Sequence, residues 1–208
     1  ETERAIREMQ LPMTRFYAVG DEPFSLEASI DRAADMCERI NVPARQCVLE
    51  LETQGAETKL SPDVWARGVA YSRTRGYGFR YWEIANEPYL MRPGTTFTTP
   101  EAYAEHVKAV SSAIRAVDPQ AQIGIGINKN SQKWGNAILQ QTAGCYDFVA
   151  AHHYAWVQNI ETSALETVAL VANYRALDTC LEVNALIHAY NPNRDIVQID
   201  TEWGMHAS

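Results

Sequence analysis

The chain has 208 residues, 46% of them hydrophobic, and a formal net charge of −8. This length and composition are typical of one globular domain with a substantial core. The absence of basic runs argues against a nucleic-acid partner, and no apolar run reaches the roughly 18 residues needed to cross a membrane.

Helical and strand patterns alternate along the chain. Apolar spacing predicts helices at 1–10, 25–40, 61–75, 99–117, 133–141 and 163–190, the last being one helix or two. Short apolar runs predict strands at 12–19, 46–52, 81–85, 122–127, 146–154 and 195–204. Two of the helix starts are marked by Ser61-Pro62 and Thr99-Pro100, in which a hydroxyl caps the helix and proline occupies its first position.

This alternation predicts an α/β fold with a parallel sheet. No glycine-rich phosphate loop follows the first strand, and the glycines Gly124 and Gly126 suit the interior of a closed barrel. We therefore predict a (β/α)8 TIM barrel. Such a barrel has eight strands in about 250 residues, so six strands predict an incomplete barrel that lacks its first and last strands.

Two predicted strands end in a glutamate. Glu87 is preceded by Asn86 and followed by Pro88, which cannot donate to a sheet, and Glu202 ends the last strand. The carboxyl ends of parallel barrel strands share one rim, where ligands bind. Two carboxylates there can hydrolyse a glycosidic bond, one protonating the leaving oxygen and the other attacking the anomeric carbon. Asp200, two residues before Glu202, is the rival nucleophile.

Three motifs, each at the end of a predicted strand, resemble those of one group of enzymes. They are Asn86-Glu87-Pro88, His152-His153-Tyr154 and Thr201-Glu202-Trp203-Gly204. In this order they are similar to the motifs of clan A glycoside hydrolases, in particular the xylosidase and arabinofuranosidase types. The resemblance implies a retaining enzyme with Glu87 as acid/base and Glu202 as nucleophile, and it makes residues 1–208 a partial TIM-barrel catalytic domain.

Further residues are expected to line this site. Asn86 would bind the sugar 2-hydroxyl, and either His152 or His153 would orient a carboxylate, because neighbouring strand residues face opposite ways. Tyr154 and Arg15 would hold the nucleophile ionised. The candidate stacking platforms for sugar rings are Tyr17, Tyr89, Trp156 and Trp203.

Several other polar residues are predicted to lie outside the catalytic centre, and two alternative functions remain. Glu50 and Glu52 are expected as rim salt bridges or cleft lining, His106 and His188 as surface residues, and the four cysteines as free thiols. A metal-dependent hydrolase would use one of the paired histidines with Asp200 and Glu202, and a sugar-binding barrel without activity is the other alternative. The favoured reading predicts a carbohydrate partner, no cofactor and no metal.

Overall fold

The computed structural model describes residues 2–17, 24–52, 60–90, 97–127, 132–157 and 165–207. The helices are α1 (Thr2–Met9), α2 (Leu26–Ile40), α3 (Pro62–Arg75), α4 (Pro100–Val117), α5 (Gln132–Gln141) and α6 (Leu165–Tyr190). The strands are β1 (Thr14–Phe16), β2 (Cys47–Glu50), β3 (Tyr81–Ile84), β4 (Gln122–Ile127), β5 (Phe148–Val157) and β6 (Val197–Ala207), and short 3₁₀ turns occupy Ala44–Gln46 and Pro88–Leu90. Within these ranges no helix has the length and apolar character to span a bilayer.

The two helix starts marked by Ser-Pro and Thr-Pro are confirmed. Ser61 caps α3 by accepting a hydrogen bond from the amide of Val64, and Thr99 caps α4 by accepting one from the amide of Ala102. The proline that follows each cap lies at the start of the helix, where a missing amide hydrogen costs nothing. These local signals fix where both helices begin.

The six strands form one parallel sheet in sequence order, β1 to β6. The sheet curves into a nearly closed barrel, in which Arg15 of β1 reaches Glu202 of β6 although these are the two outermost strands. The predicted TIM-barrel class is therefore confirmed. All the described strand carboxyl ends lie on one rim, because every neighbouring pair is parallel.

Two hydrophobic clusters hold the barrel together. The larger one lies between the strands and the surrounding helices. The smaller one fills the barrel interior around Val48, Phe148 and Ala150. Gly124 makes room for it, because a Cβ at this position would lie 2.1 Å from Cζ of Phe148. The barrel interior below the rim is thus filled by side chains.

Several strand ends differ from the sequence prediction, those of β1, β3 and β6 among them. β1 covers only Thr14–Phe16, and residues 18–23 lie outside the described residues. β3 ends at Ile84, before the Asn-Glu-Pro motif. β6 continues to Ala207 because it pairs with β5 along its whole length.

Candidate active site

The turn after β3 brings two adjacent polar residues to the rim. Ala85 and Glu87 have φ values of 61° and 45°, in the left-handed region. This conformation is unusual for residues other than glycine. It ends the alternation of the strand, so that Asn86 and Glu87 both reach the site, although consecutive strand residues would face opposite ways.

The carboxylates of Glu87 and Glu202 meet at His152. Nδ1 of His152 lies 3.1 Å from Oε1 of Glu87 and 3.5 Å from Oε2 of Glu202. One carboxylate oxygen of each glutamate and a ring nitrogen of His152 all lie within 4.8 Å of one another. Residues from β3, β5 and β6 thus converge on a single point.

A β-bulge in β6 aims Glu202 into the barrel. In the register with β5, Ala151 pairs with Asp200 and His152 pairs with Glu202, which leaves Thr201 as the extra residue. A bulge of this kind re-aims the side chains that follow it. Thr201 remains close, with Oγ1 3.1 Å from Nε2 of His152.

Arg15 connects both sides of the site. Its guanidinium donates two hydrogen bonds to Glu83, of 2.7 and 2.9 Å, one of 2.7 Å to Glu202 and one of 2.8 Å to Asn86. Burial lowers the pKa of Arg15, but the charges of Glu83, Glu50 and Glu202 and the hydrogen bond to Glu83 together outweigh this, and the pKa is raised overall. Arg15 therefore places a permanent positive charge beside Glu202.

Glu83 is a site residue that the sequence analysis missed. It is fully buried, and burial raises the pKa of its carboxyl although Arg15 acts in the opposite direction. The signal was present in the sequence, since an acidic residue inside an apolar strand needs a buried partner. Glu83 holds Arg15 through a two-point ion pair, the geometry that best fixes a guanidinium.

Two tyrosines donate to the paired carboxylates. The hydroxyl of Tyr154 lies 2.9 Å from Oε2 of Glu202, and that of Tyr89 lies 3.2 Å from Oε1 of Glu87. Burial, followed by the hydrogen bond to Glu202, raises the pKa of Tyr154 to about 12. Tyr154 therefore stays protonated and remains a donor throughout the neutral range.

His153 faces away from this site. Its Nε2 lies 2.6 Å from Oδ1 of Asp200 on the outer face of the sheet, so we remove His153 from the candidate site. Asp200 is likewise not a rival nucleophile, because the bulge at Thr201 places it and Glu202 on opposite faces. The two pairs, His152 with Glu202 and His153 with Asp200, are separated by the sheet, and this separation excludes the single metal centre considered from the sequence.

The four aromatic residues predicted as stacking platforms do not all lie at the site. Tyr89 contacts the ring of His152 edge to face, and Arg15 lies over the ring of Tyr17 at 5.5 Å. Trp203 is 82% exposed and pairs with His153, which places it on the outer face rather than beside Glu202. Trp156 belongs to β5, but its side chain lies outside the described residues.

Three polar residues are buried, of which Glu50 and Glu52 were expected at the rim or in the cleft and His106 at the surface. Glu50 and Glu52 are inaccessible to solvent, and His106 is 4% exposed. Oε1 of Glu52 lies 2.6 Å from Nε2 of His106 and accepts a hydrogen bond from the indole of Trp65. Glu52 thus links the end of β2 to Trp65 of α3 and His106 of α4 by hydrogen bonds. The prediction that His106 lies at the surface is therefore wrong, whereas His188 is exposed as expected.

Solved structures share this architecture, whereas no protein-family profile and no curated protein matches the sequence. The α-L-arabinofuranosidase of family 51 from Bifidobacterium longum superimposes with a TM-score of 0.74 at 15% identity, over 98% of this chain and 48% of that one. The α-L-arabinofuranosidase from Thermotoga maritima gives 0.67 at 17% identity, over 98% and 48%. A monomeric β-xylosidase from Caulobacter crescentus gives 0.64 at 16% identity, again over 98% and 48%.

These similarities define the class of fold. The chain has the parallel α/β-barrel architecture of the glycoside hydrolases to which it is similar. It spans about half the length of those proteins.

Proposed function

We propose that this protein is a retaining glycoside hydrolase in which Glu87 is the acid/base and Glu202 the nucleophile. The observation that carries the proposal is the approach of the two carboxylates on the barrel rim, where one oxygen of Glu87 and one oxygen of Glu202 lie within 4.8 Å of each other. In retaining enzymes the carboxyl groups are about 5–5.5 Å apart, whereas inverting enzymes keep them about 6.5–9.5 Å apart to admit a water molecule. The fold of the similar structures supports the same class of reaction.

The surroundings of Glu202 suit a nucleophile. Arg15 and Tyr154 each donate a hydrogen bond to its carboxylate, one to each oxygen. Both contacts fix the orientation of the carboxylate that would attack the anomeric carbon. As an oxygen of Glu202 forms a bond to the anomeric carbon, the bond from that carbon to the leaving oxygen breaks, and the carboxylate stabilises the positive charge that develops on the sugar ring.

The surroundings of Glu87 suit a group that gives up and regains a proton. Nδ1 of His152 and the hydroxyl of Tyr89 both contact Oε1 of Glu87 and orient its carboxylate. In the first step Glu87 protonates the leaving oxygen, and in the second it removes a proton from the water that releases the sugar. Asn86, held by Arg15, lies beside it as a ligand for the sugar 2-hydroxyl.

The test separates the two roles by leaving-group dependence. Aryl α-L-arabinofuranosides and β-xylosides are the first substrates, chosen from the activities of the similar proteins. Glu87→Ala should lose far more activity on a poor leaving group than on dinitrophenolate, since only the former needs protonation. Glu105→Ala, an exposed carboxylate on α4, is the matched control and should behave as the unchanged protein.

Three outcomes would count against the proposal. Equal loss on both leaving groups would remove Glu87 from the acid/base role. Inversion of the anomeric configuration, read by proton NMR of the first product, would exclude the retaining mechanism. Sugar binding without turnover by the unchanged chain would favour the inactive sugar-binding barrel.

A further inference from the structure

A second group of polar side chains lies on the outer face of the sheet, against α6. This outer cluster consists of His153 in β5, Cys180 in α6, and Gln198 and Asp200 in β6. His153 is 5% exposed, and the thiol of Cys180 is partly buried. The cluster has no part in the proposed hydrolysis, because the sheet separates it from Glu87 and Glu202.

Its donor atoms lie close together. A ring nitrogen of His153, Sγ of Cys180 and a carboxylate oxygen of Asp200 lie within 4.8 Å of one another. Nε2 of His153 is 2.6 Å from Oδ1 of Asp200, and Sγ of Cys180 is 3.6 Å from Oδ2 of the same residue. Three different elements therefore supply one donor each.

The donor types select a class of cation. Imidazole, thiolate and carboxylate are together the ligands of Zn²⁺, which accepts nitrogen, sulfur and oxygen in a tetrahedral arrangement. Ca²⁺ and Mg²⁺ prefer oxygen ligands only. A site with one sulfur and one nitrogen therefore favours zinc over either of them.

Two buried atoms in the cluster lack a hydrogen-bond partner among the described residues. They are Nδ1 of His153 and Oε1 of Gln198. Nε2 of His153 donates to Asp200 in this arrangement, because a carboxylate oxygen accepts. A metal bound at Nε2 requires this proton to move to Nδ1, the ring nitrogen that has no other partner among the described residues. The amide nitrogen of Gln198 lies 3.2 Å from Sγ of Cys180 and 2.9 Å from Oδ1 of Asp200, so a half-turn of the amide would point its oxygen at the same centre.

We propose that His153, Cys180 and Asp200 bind one Zn²⁺ ion, with the amide oxygen of Gln198 or a water molecule as the fourth ligand. The ion displaces the thiol proton of Cys180, which passes to solvent, and no electrons are transferred. The bound ion would join α6 to β5 and β6 and would stabilise this side of the barrel without entering the catalytic centre.

Cobalt is the probe for this site, since Co²⁺ occupies tetrahedral zinc sites and absorbs light when a thiolate binds it. The full chain, freed of metal with a chelator, is titrated with Co²⁺ under reducing conditions. We expect a sulfur-to-cobalt charge-transfer band that saturates at one Co²⁺ per chain and is lost on addition of Zn²⁺. Its absence from the unchanged, folded chain would overturn the proposal.

Variants assign the ligands. Cys180→Ser should remove the charge-transfer band, whereas Cys145→Ser, at the other partly buried thiol, should retain it. Asp200→Asn should weaken zinc binding by about 10–100-fold or more. A band that survives Cys180→Ser, in protein shown to be folded by circular dichroism, would place the metal on other thiols and overturn the assignment.

Discussion

The inner and outer faces of β5 and β6 carry the same residue types in adjacent positions. On the inner face His152 lies 3.1 Å from Glu87 and 3.5 Å from Glu202, and on the outer face His153 lies 2.6 Å from Asp200. The inner histidine meets two carboxylates and the outer one meets a carboxylate and a thiol. The surroundings of these residues, rather than the residue types, therefore distinguish a candidate hydrolytic centre from a candidate metal site.

The bulge at Thr201 produces this division. Ile199 packs into the barrel interior, so an unbroken strand would turn residue 201 inward and residue 202 outward. The extra residue shifts the alternation by one, and Glu202 faces inward while Asp200 remains outside. One inserted residue therefore decides which of two carboxylates meets Glu87.

The largest effect is expected from exchanging one carboxylate of β6 at a time. Glu202→Gln should lower kcat on the order of 10³-fold or more, because the amide cannot attack the anomeric carbon. Asp200→Asn, its counterpart outside the barrel, should change kcat by less than about threefold. Steady-state kinetics on an aryl glycoside measure both, and a comparable loss in the two variants would abolish the distinction between the faces.

The two histidines should separate activity from stability. His152→Ala should lower kcat by about 10²–10⁴-fold, since it removes the group that contacts both carboxylates. His153→Ala should lower the thermal midpoint while leaving kcat per folded molecule close to that of the unchanged protein, because it removes a buried ring. Steady-state kinetics and thermal melts on both variants check this prediction. A lower kcat for His153→Ala than for His152→Ala would contradict it.

A third prediction concerns the hydrogen bond from Tyr154 to Glu202, the proposed nucleophile. Tyr154→Phe removes the donor to Glu202 and should lower kcat by about 10–100-fold, the value of a hydrogen bond to a charged group. The raised pKa means that the folded state favours the protonated phenol. Its contribution to stability is complete below the ordinary pKa of about 10 and is lost as the pH rises through about 12. An ultraviolet titration of the unchanged protein and of Tyr154→Phe should differ by one tyrosine that ionises near pH 12. A difference centred near pH 10 would contradict the hydrogen bond to Glu202.

The smallest effect is expected at Gly204, which faces Tyr154. A Cβ at Gly204 would lie 3.1 Å from Cε1 of Tyr154, so Gly204→Ala forces the ring to move by a few tenths of an ångström. We expect less than about a tenfold fall in kcat/KM with little change in thermal midpoint, since the ring is partly exposed and has room to shift. The double variant with Tyr154→Phe should show no additive loss if both act through the same hydroxyl.

Local patterns were sufficient to predict the barrel and the placement of Glu87 and Glu202. Helix caps at Ser61 and Thr99, and short apolar strands between the helices, depend on near neighbours in sequence, so they can be read directly. The rim follows from parallel pairing alone. The sequence alone therefore predicts that both glutamates lie on one rim.

The orientation of the histidines and the role of Glu83 could not be predicted in this way. Strict alternation placed Asp200 on the same face as Glu202, because a bulge depends on pairing with a second strand and leaves no mark in a single one. Glu83 was overlooked because its partner Arg15 lies 68 residues earlier. His106 was misjudged for the same reason, since its partner Glu52 lies 54 residues away.

Arg15 gives the protein an order of assembly. Its pairing with Glu83 closes a loop of 68 residues, whereas its bond to Glu202 joins residues 187 apart. Closing the shorter loop costs less chain entropy, so we expect the pair of Arg15 with Glu83 to form first. The second must wait for nearly the whole chain, and long loops close slowly. Recovery of activity during refolding would then lag behind recovery of helix content, and the lag would time the meeting of the first and last strands.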